Sequence, residues 1–247
     1  MKAFFTLFKT EVKLTVRHMD ALFFGVLFPV GMAFLLGAIY GGKPAFDGAD
    51  YTKLQLSFGA FATIGICATG LMGLPLVLSD YRHKKILKRF RVTPVSPSML
   101  LFIQVLISFI LAVVSLLCTA AVSAAVFGYS MPGSVLYFSL SFLLLTVTIY
   151  SIGMLIASLS PNMKIANLAC TLLYFPMLFL SGATVPYEIM PKALQAVSNV
   201  FPMTQGIKLI KAASLGLAVE DMLPQMVIMA VLSLICILLS IKYFKWE

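Results

Sequence analysis

Six apolar runs of 18 to 29 residues, at 21–40, 54–78, 99–127, 135–159, 165–182 and 222–241, constrain this chain more than any other feature. A helix rises about 1.5 Å per residue, so each run is long enough to cross a hydrocarbon core of about 30 Å. The expected fold class is an all-α integral membrane protein with six transmembrane helices, organised as one domain over residues 1–247. Composition agrees. With 61% hydrophobic and 11% charged residues and a mean hydropathy of +1.02, the chain has too little polar surface to cover a soluble globule.

The segments between the runs differ in character. Residues 1–20 interleave Lys2, Lys9, Lys13 and Arg17 with Phe4, Phe5, Leu7, Phe8, Val12, Leu14 and Val16, which suits an interfacial helix entering the first span like an elbow. No A-x-A pattern follows the first run, so it reads as a retained anchor and not as a cleaved secretory signal. Residues 183–221 are broken by Pro186, Pro191, Pro202, Gly206 and Gly216 and hold no run long enough to span. They are expected to form short external helices dipping into the outer leaflet before the last span. Pro176 is expected to kink the fifth.

Residues 79–97, SDYRHKKILKRFRVTPVSP, carry six of the eighteen Lys and Arg residues. Tyr81, Ile86, Leu87 and Phe90 form a partial apolar stripe on a short helix, with Arg82, Lys84, Lys85, Lys88, Arg89 and Arg91 around the rest and Pro94 and Pro97 closing it. On charge alone the segment is equally well a basic loop that fixes topology and touches anionic lipid. The alternating arrangement of loops puts thirteen of the eighteen cations on one side, which the positive-inside rule makes the cytoplasm. Both termini are then cytoplasmic. The net charge of +9 sits beside apolar runs and serves topology, not nucleic-acid binding.

Chemistry is absent from the runs. No Asp, Glu, Lys, Arg or His lies well inside any of them, and His18 and His83 sit on the fringe, so an intramembrane protease or a proton-coupled carrier lacks its usual groups. Asp47 and Asp50 lack further oxygen ligands for a cation. Gly41, Gly42 and Lys43 do not make a phosphate loop, because GxxxxGK[ST] is missing. Cys67, Cys118, Cys170 and Cys236 read as small buried hydrophobes without metal-ligand spacing. Gln104 and Asn167 read as bonds between helices. The expectation is a non-enzyme with no catalytic, cofactor or metal site.

Two stretches resemble one family, the ABC-2 type transporter permeases, and in particular the drug-resistance-type exporters. YRHKKILKRFRVTPVSP is similar to the family's basic segment ending in a TPVSP-like element before the third span. FLSGATVPYEIMPKALQAVSNVFPMTQGIKLI, residues 179–210, is similar to its Ser-Gly and multiple-Pro segment leading into the external helices. Many members carry a glycine where Lys85 stands. The resemblance implies a six-span permease in a bacterial plasma membrane, paired with a second copy or a paralogue and loaded with two ATP-binding subunits that hold ATP and Mg.

On that reading the coupling contact to the ATPase comprises Tyr81, Arg82, Ile86, Leu87, Lys88, Arg89, Phe90 and Pro94, with Ile86, Leu87 and Phe90 seated in a cleft of the partner. Gly182, Pro186, Pro191 and Pro202 form an external gate. Tyr174, Phe175 and Phe179 are candidate residues of the substrate path, for an apolar or amphipathic drug, peptide, lipid or glycan moving outward. Two other classes stay open: a membrane-embedded substrate-binding subunit of an uptake system, and a non-transporting assembly factor.

Overall fold

A computed structural model describes residues 2–17, 19–40, 42–46, 51–87, 97–184, 187, 190–217 and 222–244. Among them the secondary structure is helical apart from an isolated antiparallel bridge between Pro44 and Thr52. The main helices are α1 (Lys2–Arg17), α2 (Phe23–Tyr40, preceded by the short helical turn Met19–Leu22), α3 (Lys53–His83), α4 (Pro97–Phe127), α5 (Val135–Leu159), α6 (Met163–Leu180), α7 (Lys192–Ser198), α8 (Pro202–Leu215) and α9 (Leu223–Tyr243). Six of them, α2 to α6 and α9, are long and apolar enough to cross a membrane. Their bounds follow the six runs closely, and the fold class is the expected one.

The helix starts are written locally. Thr52 and Gln55 form a capping box at the start of α3, and Gln55 Nε2 reaches on to the carbonyl of Ser130 at 2.8 Å, tying two loops together. Asn162 accepts from the amide of Ile165 to start α6. Pro202 and Pro224 stand in the first turns of α8 and α9, where a missing N–H costs nothing. Pro176 is accommodated inside α6.

α3 is the axis of the bundle: 78% of its apolar window is buried, against 22% in each of α2 and α9. It packs on α2, α4, α8 and α5, while α9 lies along α5. Small residues permit this. A Cβ on Gly153 of α5 would lie 2.1 Å from the carbonyl oxygen of Gly70 in α3, and one on Gly65 would lie 2.5 Å from Ser115 Oγ of α4, so backbones run close where these helices cross. Both α2 and α3 contain a π-helical stretch, Phe23–Leu27 and Ala68–Gly73, and the two stretches touch. Such wide turns interrupt regular α-helical bonding and often sit at functional positions.

At the end of the bundle away from the basic loop, the connection between α4 and α5 is fastened to α8. Gly133 N–H donates to the carbonyl of Ser214 at 2.9 Å, and a Cβ on Gly133 would lie 2.0 Å from Ala213 O. Gly216 then ends α8 in the left-handed conformation, φ +76°. α8 is the more buried of the two expected external helices, held between α3 and α5. Three of the four cysteines are buried, but Cys118 is exposed on α4, contrary to expectation: in lipid an apolar side chain has no need of a protein interior.

Candidate functional site

The basic segment leaves the bundle from α3 and returns through α4. Helix α3 does not stop with its apolar run at residue 78 but continues to His83, so Tyr81 and Arg82 belong to the span itself. Asp80 and Lys84 pair across one turn at 2.7 Å. The helix then ends in a bonded turn, in which the Lys84 and Lys85 amides donate to Asp80 O and Arg82 O. Lys85 sits at φ +56°, in the left-handed region. One continuous helix carrying Tyr81, Ile86 and Leu87 on a common stripe is therefore corrected: the left-handed residue breaks it between Arg82 and Ile86. Glycine is the residue that adopts this conformation without cost.

Arg82 turns back into the bundle. Its guanidinium donates to Ala157 O at 2.8 Å and Ser160 O at 3.0 Å, closing carbonyls at the C-terminal end of α5, and lies 5.4 Å from the ring of Phe244 after α9. Tyr81 points the other way. Its hydroxyl donates to Glu11 Oε2 of α1 at 2.5 Å, and Gln104 Nε2 of α4 donates to the same oxygen at 2.6 Å. Glu11 is 5% exposed, the one carboxylate or cation classed as buried among the described residues. Lys84 and Lys85 are exposed and Ile86 is partly exposed, whereas Leu87 is 1% exposed. Leu87 is thus already packed within this chain. Lys88, Arg89, Phe90 and Pro94 lie outside the described residues.

The family model for ABC-2 type transporters matches residues 2–215 of this chain. The chain belongs to the ABC-2 type transporter family. Among its curated relatives, Nodulation protein J of Rhizobium meliloti (strain 1021) is 35% identical over 95 residues, covering 38% of this chain and 36% of the relative. Nodulation protein J of Rhizobium leguminosarum bv. trifolii is 31% identical over 123 residues, covering 50% and 45%. That of Sinorhizobium fredii (strain NBRC 101917 / NGR234) is 37% identical over 93 residues, covering 37% and 35%. The chain thus spans less than half the length of each of these relatives. As an ABC-2 type transporter chain with six helices long and apolar enough to cross a membrane, it is a multi-pass membrane protein.

The other expected positions of this ABC-2 chain fall in two places. Gly182 adopts φ +93° just after α6, with Tyr187 against it; Pro191 precedes α7 and Pro202 opens α8, while Pro186 lies outside the described residues. Phe175 and Phe179 stack with ring centroids 6.5 Å apart on an exposed face of α6. Tyr174 is 1% exposed and faces the core beside α3, so the three aromatics do not share a surface.

Glu11 is the residue that charge counting passes over. Its position carried a signal: Phe4, Leu7, Phe8, Glu11, Val12 and Thr15 fall on one helical face, and those are the less exposed residues of α1. An acid in the middle of an apolar stripe needs a partner. The hydroxyls of Thr69 and Tyr150 bond across the core, and that long-range pair left no such local trace.

Proposed function

We propose that this chain is the permease of an ATP-driven exporter, in which a separate ATP-binding subunit docks on the basic loop and its motion is passed into the spans. The observation that carries this is the anchoring of the loop's two stalks. Tyr81 and Arg82 on the outgoing stalk and Gln104 on the returning one are bonded to α1 and to the end of α5, so a displacement at the loop reaches four helices at once. ATP and Mg are held by the partner, and both termini and the loop face the cytoplasm, in keeping with the positive-inside distribution.

In this reading Ile86 and Phe90 make the apolar contact with the ATPase, with Lys84, Lys85, Lys88 and Arg89 facing its acidic rim or lipid headgroups. Leu87 anchors the loop from within. A second permease copy pairs along α6, whose exposed residues Ile165, Leu168, Leu172, Phe175 and Phe179 follow alternating spacings of three and four, the periodicity of a helix seam. The substrate is apolar or amphipathic, and the segment from Gly182 to Pro202 gates its exit.

The experiment is co-purification of the ATPase from native membranes. Ile86→Asp with Phe90→Asp is expected to release it while the permease stays folded; full retention by that double variant overturns the docking assignment. Absence of any ATP-binding subunit from the wild-type preparation would favour the assembly-factor reading instead.

A further inference from the structure

Tying α1 to α4 needs no carboxylate: a leucine at position 11 would pack on the span without being stripped of water, and a buried charge is generally no more stabilising than an apolar residue of similar volume. What a carboxylate adds is two directed bonds. Both donors approach the same oxygen, Tyr81 Oη at 2.5 Å and Gln104 Nε2 at 2.6 Å. Tyr81 lies three residues before Lys84, where the chain turns out of the bundle, and Gln104 lies seven residues after Pro97, where α4 begins. Glu11 therefore grips the outgoing and the returning stalk of the same loop, from a third helix.

The geometry points to Glu11 as a positioning residue that makes α1 and the two stalks of the basic loop a single moving body, so that α1 travels with the loop when the ATPase displaces it. This rests on the coupling role given to the loop above. Separating α1 from either stalk would leave a buried carboxylate short of a donor, and such bonds to charged groups are the strong ones in proteins. Moving all three together breaks neither bond. The outward face of α1, with Lys9, Lys13 and Arg17 exposed, meets only headgroups and water and offers little resistance to such a slide. Phe4 adds an apolar contact to the same span, its ring 6.5 Å from that of Phe102.

The test uses the complex purified from native membranes and placed in lipid nanodiscs. Cys118 is changed to serine, because it is exposed, and spin labels are set at Lys13→Cys on α1 and His83→Cys at the end of α3, both exposed positions. The distance between them is read by pulsed electron resonance without nucleotide and with ATP and vanadate. A third position, Lys192→Cys at the opposite end, paired with His83→Cys, reports whether the loop end moves at all.

In the parent protein the Lys13–His83 distance is expected to stay the same in both nucleotide states while His83–Lys192 shifts. Glu11→Leu removes the acceptor and is expected to broaden or shift the Lys13–His83 distance on nucleotide addition, and Gln104→Met to do so in part. Glu11→Gln keeps an acceptor oxygen in place and is expected to restore the parent behaviour, which a need for charge alone would not allow. A Lys13–His83 distance that changes in the parent, or one that stays fixed in Glu11→Leu, overturns the proposal. An unmoving His83–Lys192 pair, or a preparation without ATP-binding subunits, counts against the coupling role of the loop. The clasp itself is then judged by amide exchange of α1 in the permease alone: faster exchange in Glu11→Leu upholds it, and unchanged exchange refutes it.

Discussion

The hydroxyl of Tyr150 lies 2.8 Å from Thr69 Oγ1, joining α5 to the π-helical stretch of α3 in the buried centre of the bundle. The two partners do not depend on each other equally. Thr69 also bonds Gly65 O at 2.9 Å and Ile66 O at 3.1 Å, whereas Tyr150 is 5% exposed and its hydroxyl bonds to Thr69.

Tyr150→Phe is therefore expected to cost about 0.5–1.5 kcal/mol, the net value of one hydrogen bond. Thr69→Val strands the buried phenol and is expected to cost more, about 1–3 kcal/mol. Thermal unfolding in detergent should rank them in that order. Equal losses would mean that Tyr150 finds another acceptor.

Gly70 and Gly153 face each other, but the neighbours of an added methyl differ. At Gly153 it meets the Gly70 carbonyl, while at Gly70 it meets the Tyr150 ring at 2.5 Å and Ile149 Cγ2 at 2.9 Å. Side-chain ends can rotate aside and backbone cannot, so Gly153→Ala should destabilise by about 1–3 kcal/mol through overpacking and exceed Gly70→Ala. The same unfolding measurement decides.

Arg82 holds two carbonyls of α5 with a planar fork that a lysine cannot reproduce. Arg82→Ala is expected to lose about 1.5–3 kcal/mol, the range for a bond to a charged group. Arg82→Lys should recover only part of this despite keeping its charge. Proteolytic sensitivity of residues near Ser160 provides the local readout, and full recovery by lysine would show that charge, not geometry, closes the helix.

Lys85 carries a left-handed backbone that costs a side-chain-bearing residue about 1–2 kcal/mol. Glycine avoids that but loses about 0.5–1 kcal/mol to greater freedom in the unfolded chain. Lys85→Gly is thus expected to be neutral to slightly stabilising. Lys85→Val, a branched side chain at positive φ, should destabilise the turn and speed cleavage of the loop by protease.

The six spans were legible because continuous apolar runs need no partner to declare themselves; all six end within five residues of where the runs do. The basic stripe was legible as composition but not as geometry. Tyr81, Ile86 and Leu87 look like one helical stripe until the left-handed Lys85 divides them, and a lysine gives no sequence warning of positive φ. Arg82 counted as a surface cation, whereas its guanidinium is spent on Ala157 and Ser160, which lie more than seventy residues away. Gly70 against Gly153 and Thr69 against Tyr150 are likewise pairings about eighty residues apart, fixed by how α3 crosses α5 and not by any local pattern.

The fastening of Gly133 to Ser214 is made backbone to backbone, with no side chain between. At the other end, α3, α4 and α5 are held through the long arms of Tyr81, Gln104 and Arg82. Main chain in direct contact has no rotamers with which to yield, and extended side chains have several. The end of the bundle away from the basic loop is accordingly a stiff collar, closed by backbone alone.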